Sequence, residues 1–418
     1  MMSLGHPRPS PRDRAHMPRP QPFRIRFAPA VVADLRRRLE QVRWPEVAYA
    51  TGWKAGTNPR VLRRLVGHWL DRYSWPDQQE RINALPHFRV TLAGEQTHFV
   101  HYRGPGVRQP YPLLLLHGWP GSFLQFETVA PLLRAGYGGS PGFDLVVPTL
   151  PGFPFSEARS DTSFYYRSIA RKMHQLMRAL GYRRFGVSGG DWGWLVAREM
   201  ALQNPGAVVG LHIEHQYPVA NLPPQGRDRA ERAYLKQRAE LARTGMAYNR
   251  LQSTKPLTLA YALQDSPVGF LAWILEKFWE WSDHGNNLWQ TFDRNFVLDT
   301  AMLYWCSRSV ASSARIYHVN NHLRKVNLRE GCVEVPTRWS SYPKDPFEGV
   351  PESLMDRSPF QQVQCTFHRK GGHFPTVEQP QAWARDTYGF FANLSGGASS
   401  ARPGRTSQQF TPRTGVRH

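Results

Sequence analysis

Apolar residues recur every three to four positions over residues 29–42, with Val32, Leu35, Leu39 and Val42 on one stripe, and again over 59–73, with Leu62, Leu65, Val66 and Leu70. That spacing predicts two helices that each bury one side, the first opened by Pro29 and ended by Trp44-Pro45. A third, short helix is expected around residues 78–84. Residues 88–92 and 97–102 alternate apolar with polar instead, the pattern of two paired strands, joined through Ala93-Gly94-Glu95.

From Tyr111 onward, short apolar runs alternate with helical spacing. Residues 113–116, 143–147, 185–187 and 208–213 read as buried strands, and 163–180 as a helix with Ile169, Met173, Leu176, Met177 and Leu180 inward. Strands separated by helices imply a mostly parallel, doubly wound sheet covered on both faces, so the fold class is α/β. Beyond Ile213 the strand signal stops and helical spacing takes over to about residue 325, charged over 227–243 and aromatic over 266–281 and 298–307. A helical insertion at that point fits a lid above the strand ends. Strands return at 333–335 and 363–368, before a last helix over 381–391. The divisions that follow are a basic, disordered tail (1–22), a helical amino-terminal extension (23–105), a first part of the α/β core (106–215), the lid (216–325), a second part of the core (326–395) and a second disordered tail (396–418).

The run 185–187 feeds Ser188-Gly189-Gly190-Asp191-Trp192-Gly193, and a helical segment follows from Trp194. Strand, sharp turn and helix in that order force the residue at the turn into a strained backbone and aim its side chain into a cleft, a nucleophile elbow. Two registers fit the glycines, one with Ser188 at the apex and one with Asp191. Asp191 is favoured, because Gly193 then opens the helix and Ala197 lies a turn further on, so the helix can approach the sheet closely. With Ser188 there, Trp192 and Trp194 would crowd the first helical turn.

The 418 residues suffice for a large core, and their formal charge of +21 raises the question of nucleic acid or an anionic membrane. The arginines scatter over helix faces and both tails with no nucleic-acid-binding motif, so the surface reads as solvated, with no nucleic-acid partner. The amino terminus is polar and rich in proline and arginine, with no apolar leader, and the apolar stretch 261–281 is broken by Asp265, Pro267, Glu276 and Lys277. No membrane partner is expected. Cys306, Cys332 and Cys365 lie too far apart to suggest a metal or a disulfide framework, which fits a reducing, cytoplasmic location.

An elbow carboxylate needs other groups to finish a reaction. His373, in Lys370-Gly371-Gly372-His373-Phe374, follows the last strand and is the candidate base. His117 also follows a strand, but its glycine and proline neighbours suit shaping a loop. Asp345 and Glu348, in Tyr342-Pro343-Lys344-Asp345-Pro346-Phe347-Glu348, are both candidates to orient the imidazole, with Asp345 favoured.

Trp44-Pro45, Gly56-Thr57-Asn58-Pro59, His117-Gly118-Trp119-Pro120, Gly189-Gly190-Asp191-Trp192-Gly193, Asp265-Ser266-Pro267-Val268-Gly269 and Gly371-Gly372-His373-Phe374 together resemble the microsomal-type epoxide hydrolases, a group that includes soluble fungal and bacterial members and the insect juvenile-hormone enzymes. The resemblance runs over residues 23–394. It implies an α/β-hydrolase fold with a helical lid, hydrolysis of a small apolar epoxide to a vicinal diol, a detoxifying role, and no metal or organic cofactor; a homodimer is compatible with it. Carried over, Asp191 is the nucleophile, His373 the base and Asp345 the orienting acid of the fungal type, while Pro346-Phe347-Glu348 resembles the glutamate version. Tyr248 and Tyr317 match the two lid tyrosines, and the backbone amides of Trp119 and Trp192 form the oxyanion hole. The chemistry suits these residue types: a phenol stays protonated at neutral pH yet can give its proton to a leaving alkoxide, and only an ester, not an ether on serine, is open to attack by water. The rival readings are a haloalkane dehalogenase using the same aspartate, with the two tryptophans cradling halide, a Ser188 esterase, and a basic binding module on a degenerate hydrolase fold.

Overall fold

The computed structural model describes residues 18–396 except 47–51, 105, 107, 110, 216–224, 227 and 356. Nine strands form one sheet: β1 (Gln21–Pro22), β2 (His87–Leu92), β3 (Glu95–Tyr102), β4 (Leu113–Leu116), β5 (Leu145–Pro148), β6 (Phe185–Gly189), β7 (Val208–Glu214), β8 (Thr337–Ser341) and β9 (Val363–Phe367). Their spatial order is β1-β2-β3-β5-β4-β6-β7-β8-β9, antiparallel from β1 to β5 and parallel from β5 to β9. The expected α/β class is therefore what the chain adopts. Ala93 and Gly94 both take positive φ, the two-residue turn that matches strand twist in a tight hairpin. Residues of β4, all leucine, are fully buried, as a strand covered on both faces requires.

Helices Tyr166–Ala179 and Trp192–Gln203 pack against each other, and Val129–Ala135 packs with the last helix, Pro380–Gly396. After β7 come the helices Arg229–Thr244, Ala247–Thr254, Pro256–Asp265, Pro267–Glu280, Arg294–Cys306 and Val310–Tyr317. The amino-terminal helices Pro29–Glu40, Pro59–Asp71 and Trp75–Asn83 buttress that insertion. Arg38 pairs with Asp265, Thr57 Oγ1 donates to the Ala272 carbonyl, Tyr73 Oη donates to Asp299 at 2.6 Å, and Trp53 stacks on Trp279 with ring centres 4.4 Å apart. Among the described residues no helix is long and apolar enough to cross a membrane.

Two expectations shift. The strand placed at 333–335 lies at Thr337–Ser341, because Pro336 has no N–H to give a ladder and only its carbonyl serves, accepting from Leu211; Val333 keeps one isolated bridge, to Phe360. The polar-looking sequence of β8 is buried with its hydroxyls satisfied, Thr337 by the Val335 carbonyl and Ser340 by Asp386. The expected tail over 1–22 is also too long: residues 1–17 lie outside the described residues, but Gln21–Pro22 pair with Arg89 and Phe88. Of the tail expected over 396–418, Gly396 closes the last helix and 397–418 lie outside the described residues.

Candidate active site

Asp191 stands between β6 and helix Trp192–Gln203 with φ 48° and ψ −127°, a conformation that costs a side-chain-bearing residue on the order of 1–3 kcal/mol. The turn closes only with glycine on the inside: a Cβ on Gly193 would lie 2.4 Å from the Leu116 carbonyl oxygen, and one on Gly118 would lie 2.2 Å from Asp191 Oδ1. Ser188, by contrast, is fully buried within β6, its hydroxyl 3.0 Å from His212 Nδ1. β6 runs on past Ser188, so the turn has its apex at Asp191 and not in the serine register.

One carboxylate oxygen of Asp191 is already held. Oδ1 accepts from the backbone N–H of Trp119 at 2.9 Å and of Trp192 at 2.7 Å, while Oδ2 lies 3.7 Å from His373 Nε2. The other ring nitrogen of His373 meets Asp345 Oδ2 at 3.0 Å, and Asp345 Oδ1 accepts from the Phe347 N–H. Glu348 does not reach the imidazole: its Oε2 accepts from Ser341 Oγ at 2.7 Å, and burial and the Asp345 charge raise it to about 9. From the helices after β7, Tyr248 and Tyr317 come close enough to feel the Asp191 charge, their ring centres 5.9 Å apart. Tyr248 stacks on Trp119 and Tyr317 stands edge-on to Trp192. Burial and the Asp191 charge push both phenols upward, so they stay protonated. His117 is buried and held neutral to about 4; it staples two loops, Nδ1 donating to the Gly118 carbonyl and Nε2 accepting from the Leu150 N–H.

Residues 20–126 match the family described as epoxide hydrolase N terminus, and 111–261 the family described as alpha/beta hydrolase fold. The epoxide hydrolase 1 of Oryctolagus cuniculus is 32% identical over 405 residues, with 88% of this chain and 87% of that protein covered. The chain belongs to the epoxide hydrolase family. Solved structures agree: the juvenile hormone epoxide hydrolase of the silkworm Bombyx mori superposes with a TM-score of 0.82 at 28% identity, over 90% of this chain and 95% of that one. The Aspergillus niger epoxide hydrolase gives 0.78 at 28% identity, over 90% and 96%.

This hydrolase carries one site residue that the sequence did not single out. His215, just past β7 with φ 75°, accepts the Asp191 backbone N–H at Nδ1 (2.6 Å) and donates from Nε2 to the His373 carbonyl (2.7 Å). Its ring stacks on that of His373 at 3.8 Å. A histidine following a strand is the only local signal, because its partners are backbone groups distant in sequence. His215, Asp345 and His373 bring three ligand-type atoms together, but both His215 nitrogens and Asp345 Oδ2 are spent on the hydrogen bonds above. The donor set does not fit a metal ion.

A cavity of about 10 Å³ abuts Trp119, room for about one water molecule. Its lining includes Gln252, Leu259, Leu263, Phe270 and Trp273, and helix Pro256–Asp265 is one of its walls, with Leu257 and Tyr261 exposed on the outer side.

Buried protons around the site give the enzyme a pH-dependent stability. Burial raises Glu214 to about 8 and Glu348 to about 9, and His373, despite its burial, is raised to about 10 by the Asp345 and Asp191 carboxylates. Each group keeps a proton in the folded chain that the unfolded chain has released, so its stabilisation is complete below the unfolded value and is lost as pH rises toward the folded one. Burial holds His212 and His215 neutral down to about 4, so their stabilisation grows as pH rises to the unfolded value of about 6.5 and adds only a small opposing change above it. Calorimetry should show Tm lower at about pH 8.5 than at about pH 6.5 by at least a few degrees; an unchanged or rising Tm would contradict these protonation states.

Proposed function

We propose that this enzyme converts an apolar epoxide and water to a vicinal diol through a covalent ester on Asp191. The observation that carries the reading is the division of labour between the two Asp191 oxygens: Oδ1 sits between two amide donors and Oδ2 faces His373, while both phenols lie near enough to feel the Asp191 charge. Epoxide carbons are saturated, so opening is an in-line displacement. Oδ2 bonds to the carbon, the ring C–O bond breaks, and the departing oxygen takes a proton from Tyr248 or Tyr317. Oδ1 then becomes the ester carbonyl oxygen, already seated where negative charge will next develop.

The charges arrange the order of events. The carboxylates of Asp345 and Asp191 together hold His373 protonated. Esterification removes one of the two negative charges, so the imidazolium becomes more acidic and gives up its proton, which balances the one the phenol has lost. Neutral His373 can now draw a proton from water, which attacks Cγ of the ester. The tetrahedral oxyanion forms on Oδ1 under the Trp119 and Trp192 amides, each such donor being worth on the order of 3 kcal/mol. Asp345 stabilises the imidazolium and fixes the ring orientation. The hydrocarbon lining beside Trp119 favours apolar substrates. A dehalogenase would need no proton donors in the lid, and the two phenols near Asp191 favour the epoxide.

The test is a single turnover of styrene oxide in oxygen-18 water with enzyme in excess. Cleavage of the acyl bond puts the label into Asp191 and leaves the first diol unlabelled; direct attack by water on the epoxide would label the diol at once and refute the ester.

A further inference from the structure

Lys277 is a buried cation that the steps above leave without a task. It lies on helix Pro267–Glu280 with only 2% of its surface exposed, although a four-carbon stem ordinarily carries its charge out to water. Its Nζ is 2.9 Å from Glu280 Oε2 and 3.3 Å from Glu276 Oε2, and it lies 4.8 Å from the centre of the Tyr248 ring and 5.5 Å from that of Trp281. The ion pairs offset the cost of burying the charge, but they do not explain its place against a ring. Helix Pro267–Glu280 could pair lysine and glutamate equally well on its outer side.

We infer that Lys277 is a positioning residue that acts through Tyr248, its ammonium stabilising the negative charge the phenol acquires as it gives its proton to the opening epoxide. The inference rests on the reading of Asp191 as nucleophile and Tyr248 as proton donor. Balance is simple: as the Oδ2–carbon bond forms and the ring C–O bond breaks, the Oη proton moves to the epoxide oxygen and the electron pair of the O–H bond stays on Tyr248. That charge spreads into the aromatic ring, so a cation at the ring is attracted more strongly to the phenolate than to the phenol. The stabilisation is therefore greater in the transition state than in the resting enzyme, which is what accelerates a step. It also opposes the Asp191 carboxylate, whose charge makes Tyr248 a weaker acid. Of the two lid tyrosines, Tyr248 becomes the better donor.

Rapid-quench measurement of ester formation and ester hydrolysis with styrene oxide separates this role from a structural one. Lys277→Met, which keeps the stem and removes the charge, should slow ester formation about 10-fold and leave ester hydrolysis unchanged, while Lys277→Arg restores most of the rate. In a Tyr248→Phe background, Lys277→Met should cost less than about 2-fold, since the two residues act as one unit. Ester formation at the wild-type rate in Lys277→Met would overturn the inference, as would equal slowing of both steps, or a loss undiminished in Tyr248→Phe. If Lys277→Met does not fold, Lys277→Met with Glu280→Gln, which removes both members of the pair, takes its place under the same criteria. Wild-type enzyme that turns over without any ester on Asp191 would instead overturn the underlying mechanism, a result distinct from all of these.

Discussion

Asp191→Asn should turn over styrene oxide at least ~10⁵-fold more slowly than wild type, because removing a nucleophile costs nearly the whole of what a catalytic unit supplies. The substitution is unusually clean. An amide oxygen can still accept from the Trp119 and Trp192 N–H groups that now bind Oδ1, so the elbow keeps its shape. What changes is the atom facing His373: in place of a carboxylate oxygen with an attacking electron pair stands an amide group that cannot displace an epoxide oxygen. His373 also loses one of its two carboxylate neighbours and becomes a weaker base for protons. Steady-state assay of Asp191→Asn and Asp191→Ala, with circular dichroism to check folding, decides the matter. If either variant keeps more than about a hundredth of the activity while folded, water is being activated without the ester.

His373→Gln should fail at the other step, and visibly. In the proposed mechanism ester formation needs Oδ2 and a phenol, neither of which is removed, whereas hydrolysis needs a base for water, and loss of a general base costs about 10²- to 10⁴-fold. The variant should therefore open one equivalent of epoxide and then stall, with the adduct accumulating. Mass spectrometry of the quenched protein would find the peptide containing Asp191 heavier by one substrate. Asp345→Asn should resemble it in weaker form, since Asp345 acts on water only through the imidazole. A His373→Gln protein that neither gains the adduct nor turns over would mean that His373 also takes part in forming the ester, and a protein that turns over steadily would remove His373 from the mechanism.

The sheet was readable because its strands are short apolar runs between helices, and the elbow because only a few glycine spacings close such a turn. Choosing Asp191 over Ser188 rested on where two tryptophans would fall, and the close approach of Gly193 to the Leu116 carbonyl gives that preference its physical basis. Asp345 and Glu348 could not be separated by counting residues: both are buried near the site, and the difference is which carboxylate the loop turns toward His373. β8 was misplaced because buried serine and threonine, satisfied by partners far away in sequence, look like a loop. His215 was out of reach for a related reason, its bonds going to main-chain atoms that carry no residue identity. Lys277 did leave a trace, as a charge interrupting an apolar helix, yet nothing in that interruption names the ring it faces.

The space beside Trp119 admits about one water molecule, whereas any epoxide with a hydrocarbon arm is several times larger. A substrate seated there would have to displace the helices that line it, Pro256–Asp265 among them, so a bulky guest should be admitted more slowly than a slim one.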